Sequence, residues 1–166
     1  RSVATLLNAS TQLPAVGTPG SLGANTDIII DTRSPIVTNV TSANTGLIET
    51  GDVVTINVTF DEVVFITNTA RLLLETGTID RYANYNGTGN GTNTLQFNYL
   101  VQSTDYTEHL DYVDQWSLET VDGTIRDLAG NNANLDLPEP AAPGSLGANT
   151  NIFIVGDTPY IVNVTS

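Results

Sequence analysis

The chain has 166 residues with a formal net charge of −13, five Lys plus Arg against eighteen Asp plus Glu, and no cysteine. An acidic surface repels phosphate backbones and anionic lipid, so we expect no nucleic-acid partner and no membrane insertion, whereas divalent cations are suitable ligands. Without cysteine neither disulfides nor thiolate metal sites can form, and no apolar run approaches the roughly 18 residues of a membrane helix.

The first recognisable feature is a repeated phrase, PGSLGANT, at residues 19–26 and again at 143–150. Its flanks match as well, because residues 13–42 align without a gap on residues 137–166, an offset of 166 − 42 = 124. That offset suits one domain of a tandem array better than a solenoid turn of about 20–50 residues. We therefore expect residues 1–32 to be the C-terminal part of one repeat, 33–157 a complete repeat, and 158–166 the first strand of another.

Between the two phrases, alternating apolar and polar residues predict short strands, and nothing predicts a helix of useful length. The strand predicted over NTDIII, residues 25–30, would be an exposed apolar edge alone, so we expect it to pack against a domain end or a neighbouring chain. Asn39, Asn57 and Asn163 are expected to face outward. The predicted inward rows are Ile36, Thr38 and Val40, with Tyr160, Val162 and Val164 as their repeat equivalents, then Val54, Ile56, Val58 and Phe60, then Ala70, Leu72 and Leu74, then Leu95, Phe97, Tyr99 and Val101.

Turn-forming residues punctuate these runs at short spacing, as in ETGD, NGTGNGTN, VDGT and DLAGNN. Seven or so short strands in about 124 residues are typical of an all-β, antiparallel two-sheet sandwich. The long connection LDLPEPAAPGSLGANT is expected to be an ordered loop over one end of the sandwich, in which Leu146 packs, before a last strand NIFIV.

Five sequence segments together resemble those of a known class of repeats: GDVVTINVTFDEVV, LLLETG, LQFNYLVQ, GTIRDLAGNNANLDLP and SLGANTNIFI. Residues 36–166 resemble the bacterial-type Ig-like repeats found in tandem in large surface proteins and adhesins, and in long repeat proteins of algae and protists. The resemblance implies an Ig-like sandwich in an extracellular, cell-surface stalk or fibre. The expected partners are neighbouring repeats of the chain and other copies in a fibre, with Ca²⁺ often bound at the junctions.

Calcium needs six to eight oxygen ligands, and four acids beside turns and linkers are the candidates: Asp31, Glu62, Asp127 and Asp157. Glu62 follows Phe60 by two residues, so it belongs to the inward row, where an acid should be paired or metal-bound. Asp127 has an alternative role, capping backbone N–H groups while Gly130 takes a left-handed conformation. Val155 aligns with Asp31, so we do not expect the same site at every junction.

The pattern Asn-x-Ser/Thr has two open explanations, coincidence in an Asn- and Thr-rich chain or N-linked glycosylation in a secretory route. Glycosylation would fit a subunit of a surface appendage such as a tubular flagellar hair. The six positions are Asn8, Asn39, Asn57, Asn86, Asn90 and Asn163.

Enzymatic chemistry has weaker support. The acidic stretch 103–123 could hold a glycosidase carboxylate pair, but a solvated loop anchored by Leu110, Tyr112 and Trp116 is favoured. His109 is the only histidine, and no nucleophile motif accompanies it. Trp116 is expected in the core, although a carbohydrate-binding adhesin module using the loops around Trp116 and Tyr85 is an alternative. We expect no enzyme.

Overall fold

The computed structural model describes residues 12–157, and the chain divides into a unit of residues 1–31 and a unit of residues 32–166. In the described part of the first unit, the one regular element is a single-turn helix, α1 (Leu22–Asn25). Ser21 is buried there and its neighbours from 12 to 31 are exposed. The segment NTDIII does not form a strand, and no partner strand supplies backbone hydrogen bonds to it among residues 12–31.

The described part of the second unit is almost entirely β-structure. Its one helix is the single turn α2 (Leu146–Asn149), and no helix among residues 12–157 has the length and apolar character to cross a membrane. The strands in chain order are β1 (Val37–Ser42), β2 (Gly46–Glu49), β3 (Val53–Glu75), β4 (Arg81–Tyr85), β5 (Thr92–Leu100), β6 (Tyr106–Thr107), β7 (Asp111–Tyr112), β8 (Leu118–Arg126) and β9 (Ile152–Val155).

These strands form two sheets, which confirms the all-β, two-sheet prediction. The larger sheet has the order β1-β3-β4-β5, with β7 and β8 also paired to β3, and all of its pairings are antiparallel. The smaller has the order β2-β9-β6. In one respect the antiparallel prediction was wrong, because β2 and β9 run parallel. They belong to opposite ends of the unit and no hairpin joins them, so chain direction is not constrained to reverse.

The 23-residue strand β3 organises the larger sheet. Its first half pairs with β1 and β5, and after a register shift between Thr59 and Val64 it pairs with β8, and further on with β4 and β7. An irregularity of this kind bends a strand and increases its local twist. Glu62, one of the four candidate calcium ligands, lies within this shift, so the bend determines its position.

The core follows the predicted alternation closely. Three predicted inward rows are buried, from Val54 to Phe60, from Ala70 to Leu74 and from Leu95 to Val101. The predicted row of β1 was correct for Val40 but wrong for Ile36 and Thr38, which are exposed, and Val37 is buried instead. A register shift between Val37 and Asn39 in the pairing with β3 changes which face these residues occupy. The row's repeat equivalents Tyr160, Val162 and Val164 lie outside the described residues.

The loop over 135–150 is ordered, and its packing role is confirmed. Leu146 is completely buried and contacts a core that includes Leu137, Ile152 and Ile154. The Ser145 side chain caps α2 by accepting a hydrogen bond from Ala148 N. This loop leads directly into β9, so its position is coupled to the smaller sheet.

Candidate functional site

The acidic residues Glu62 and Asp127 come together in the second unit, with carboxylate oxygens within 4.8 Å of each other. Glu62 is half-buried at the bend of β3, and Asp127 is buried just after β8. Strand pairing explains the approach, because Phe65 of β3 lies opposite Arg126 of β8. Two carboxylates at this separation can share a cation.

Asp127 is held by the turn that follows it. Asn131 donates to it twice, from its side-chain Nδ2 at 2.7 Å and from its backbone N at 2.8 Å. Gly130 has φ +95°, so the predicted cap with a left-handed glycine is formed. Burial acts to raise the pKa of Asp127, but hydrogen bonds from Asn131, Gly130 and Ala129 outweigh it and lower the pKa. These hydrogen bonds therefore stabilise the charged form of the Asp127 carboxyl group.

The two remaining predicted ligands are Asp31 and Asp157. Asp31 is exposed and is the last residue of the first unit. Asp157 is exposed beside Val155 and Gly156 at a shallow cleft that also includes Glu49, and it is not part of the acidic group around Asp127.

Asp61 takes a structural role next to this group. Its Oδ1 accepts from Ile36 N at 2.9 Å, and its Oδ2 lies 3.2 Å from Arg33 Nη2. The side chain therefore fixes the first residues of the second unit beside Glu62. The sequence gives no local signal for this pairing, because Arg33 and Asp61 are 28 residues apart.

The acidic stretch 103–123 is less solvated than predicted, because Asp105 and Asp111 are buried. Asp105 accepts from Tyr99 Oη at 2.7 Å, from Gln102 N at 2.9 Å and from Arg81 Nε at 2.9 Å. Asp111 accepts from the backbone N–H groups of Tyr112 and Ala141. Both acids therefore accept hydrogen bonds that stabilise the fold.

The prediction that Trp116 lies in the core was wrong. Its side chain is 67% exposed, whereas Leu110 and Tyr112 are buried as predicted. Trp116 lies in a tight turn, where Asp114 accepts from Trp116 N and from the Ser117 hydroxyl. The turn directs the indole outward because Ser117 and Leu118 fill the buried positions that follow it.

The predicted glycosylation positions differ in accessibility. Asn86 and Asn90 are exposed in the loop between β4 and β5. Asn39 is half-buried and accepts from Asn149 Nδ2 at 2.7 Å, and Asn57 is half-buried with an enclosed Oδ1, so neither faces fully outward as predicted. Asn8 and Asn163 lie outside the described residues.

The repeated phrase adopts one local structure in both copies. Thr26 N donates to Leu22 O at 3.1 Å, and Thr150 N donates to Leu146 O at 3.0 Å. Both threonine hydroxyls donate to the same leucine oxygens. The phrase therefore encodes its own turn without help from the surroundings.

Comparisons with protein-family models, with curated proteins and with solved structures found no match to this chain.

Proposed function

We propose that this chain is part of an extracellular, multi-domain stalk or fibre at a cell surface, in which Ig-like repeats of about 124 residues act as spacers. The observation that carries the proposal is the repeated phrase, which forms a single helical turn closed by the same threonine-to-leucine hydrogen bonds at both positions, 124 residues apart. A serial array needs such a reproducible segment at each junction. Two buried acids of the acidic stretch serve as structural acceptors, which is consistent with a mechanical role.

Small-angle scattering of proteins with one, two and three copies of residues 33–156 tests this role. Spacers joined in series should increase the maximum dimension by a constant length for each added copy. A compact particle whose dimension grows with only the cube root of mass would contradict the proposal.

We further propose that Ca²⁺ binds at Glu62 and Asp127 and that Asp31 supplies a third carboxylate. Asp31 precedes Arg33 by two residues, a distance of at most about 7 Å along an extended chain. Arg33 is tied to Asp61, the neighbour of Glu62. Chain connectivity therefore keeps Asp31 within reach of the two acids. Backbone carbonyls and water would complete the six to eight oxygens that Ca²⁺ requires.

Calorimetric titration with CaCl₂ tests this site. We expect a Kd of about 10⁻⁴ to 10⁻³ M, typical of extracellular modules, and a higher Tm with Ca²⁺ than with Mg²⁺. Glu62→Gln and Asp31→Asn should each abolish the gain in Tm. Asp157→Asn is the matched control and should keep it, and equal loss in all three variants would point to non-specific charge effects instead.

Glycans at Asn86 and Asn90 would suit the same extracellular role, because both side chains lie exposed in one loop. Intact-mass measurement of the protein from its native source, before and after treatment with an N-glycosidase, tests this directly. A mass equal to that of the bare polypeptide contradicts it.

A second candidate function is carbohydrate binding, and the exposed indole of Trp116 favours it. Stacking of a sugar on this ring would change its fluorescence, and Trp116 is the only tryptophan in the chain. A glycan array with the intact chain, followed by fluorescence titration of any hit, tests the idea. Binding that Trp116→Ala removes supports an adhesin module, whereas an empty array favours the spacer alone.

A further inference from the structure

Two copies of one sequence segment have opposite environments in this chain. We call residues 13–31 the exposed copy and residues 137–155 the packed copy. Four apolar positions of the packed copy are at most 4% exposed, whereas their equivalents in the exposed copy are between 57% and 86% exposed. The paired positions are Leu13 and Leu137, Leu22 and Leu146, Ile28 and Ile152, and Ile30 and Ile154.

Residues 17–26 of the exposed copy already have the backbone turns of residues 141–150 in the packed copy, although residues 28–31 do not yet form the strand of residues 152–155. Gly17 has φ +79° and its equivalent Ala141 has φ +62°, while Gly20 and Gly144 have +91° and +94°. Ser21 N donates to Thr18 O at 2.9 Å, as Ser145 N donates to Ala142 O at 2.9 Å. The turn region of the exposed copy is therefore preorganised for the contacts that the packed copy makes.

Packing requires glycine at position 147 of the packed copy but not at the equivalent position 23 of the exposed copy. A Cβ on Gly147 would lie 2.5 Å from Asp111 Oδ2, so the packed copy needs glycine there. A Cβ on the equivalent Gly23 would have no atom within 4 Å. Neither residue has a positive φ that would demand glycine. The exposed copy therefore carries a packing feature for which its present surroundings give no reason.

The packed copy occupies a defined groove. Its strand β9 lies between β2, to which it is parallel, and β6, to which it is antiparallel. Further backbone hydrogen bonds beyond these strand pairings also hold it, among them Val40 N to Gly144 O at 2.8 Å and Leu110 N to Ile152 O at 2.9 Å. Backbone contacts of this kind do not depend on side-chain identity, so the exposed copy can make them equally well.

We propose that the exposed copy fills the same groove in a second repeat of this sequence type, with residues 28–31 inserted as a strand between that repeat's equivalents of β2 and β6. The partner is a body like residues 32–136, and Leu22, Ile28 and Ile30 are the buried anchors. This inference rests on the proposed tandem organisation and adds to it a specific strand register. Each junction would then join the strand of one repeat to the body of the next through Asp31 and Thr32.

Hydrogen–deuterium exchange tests the proposal in two proteins, the 166-residue chain and a longer chain in which residues 32–136 precede residues 13–166. Amides of residues 28–31 should exchange at least about 100-fold more slowly in the longer chain, because inserted strands are protected by sheet hydrogen bonds. Equal exchange in the two proteins would overturn the proposal. Protection in the 166-residue chain that persists on dilution would also overturn it, because the segment would then pack on its own chain.

Matched variants locate the contact. Ile30→Asp should leave the Tm of the 166-residue chain unchanged and remove the protection of residues 28–31 in the longer chain. Ile29→Asp is the control, because its equivalent Phe153 faces outward at 37% exposure, and it should keep the protection. Gly23→Ala should act like Ile30→Asp. Equal effects of Ile29→Asp and Ile30→Asp would contradict the stated register. The small-angle scattering experiment tests the serial fibre separately from strand insertion. A serial fibre without strand insertion would give constant length increments but no protection of residues 28–31.

Discussion

Tyr99, Asp105 and Arg81 form a buried polar cluster that links the larger sheet to the loop before β6. Asp105 is fully buried and has three donors, and Gly156 N donates to its backbone oxygen at 2.7 Å. Burial, and then the hydrogen bond to Asp105, raise the pKa of Tyr99, so its hydroxyl stays protonated as a donor. A satisfied cluster of this kind fixes a loop in one position.

Tyr99→Phe should therefore lower the free energy of unfolding by about 1–3 kcal/mol, because it leaves a buried carboxylate one donor short. Urea unfolding followed by circular dichroism measures the change. The control is Tyr106→Phe, whose hydroxyl is exposed and makes a 3.3 Å contact with Glu108, and it should change the stability by less than about 0.5 kcal/mol. Similar losses in both variants would show that the hydroxyl of Tyr99 has no special role.

Asp127 should control part of the acid sensitivity. Its folded pKa is below the ordinary value of 3.8, so its charged form contributes stability that is fully present above that value. The contribution is lost as the pH falls through the lower folded pKa. Urea midpoints over a pH series should fall less steeply below pH 3.8 in Asp127→Asn than in the wild type. Asn131→Ala, which removes a donor, should move the loss to higher pH, and an unchanged pH profile in both variants would contradict this role.

At the scale of elements, the pairing of β3 with β8 contains a bulge that depends on one glycine. Asn68 has φ +58° and donates from Nδ2 to Asp122 O across the two strands. A Cβ on Gly123 would lie 2.0 Å from Thr67 O, a contact that only backbone movement could relieve. The close approach of two backbones therefore requires glycine at position 123.

Gly123→Ala should destabilise the second unit by about 1–3 kcal/mol, because the clash is with backbone rather than a flexible side chain. Thermal unfolding of the 166-residue chain measures it. Gly23→Ala is the control, since no atom lies within 4 Å of its added Cβ. If the Tm of Gly123→Ala equals that of the control within error, the two strands can move apart without loss of stability.

The strand alternation of β3 and β5 could be predicted because a period of two in apolar residues specifies which face is buried. The first strand could be predicted only in part, because Val40 is buried as expected but Ile36 and Thr38 are exposed. A bulge between Val37 and Asn39 inserts a residue that the pattern does not reveal, so Ile36 and Thr38 point outward. Bulges depend on the partner strand, and partner strands are not visible in local sequence.

At the scale of the whole molecule, a net charge of −13 places many like charges on one small surface. Raising NaCl from about 10 to about 150 mM shortens the Debye length from about 30 to about 8 Å and should raise the Tm by screening this repulsion. Scanning calorimetry across the salt series measures the change. A triple variant, Asp80→Asn, Asp136→Asn and Asp157→Asn, should show a smaller rise because all three side chains are exposed. A Tm that is independent of salt in both proteins would show that self-repulsion is negligible.

The sequence by itself determined the all-β class, most of the buried rows, the repeated phrase with its own turn, and the candidate acids. These follow from local periodicity, backbone preferences of Gly and Pro, and composition, which act over a few residues. Only the tertiary structure decided that β2 and β9 are parallel, that Trp116 is exposed, and that Glu62 lies beside Asp127 and apart from Asp157. Those features depend on which distant strands pair and where strands bend, and such contacts between residues far apart in the chain have no signature in local sequence.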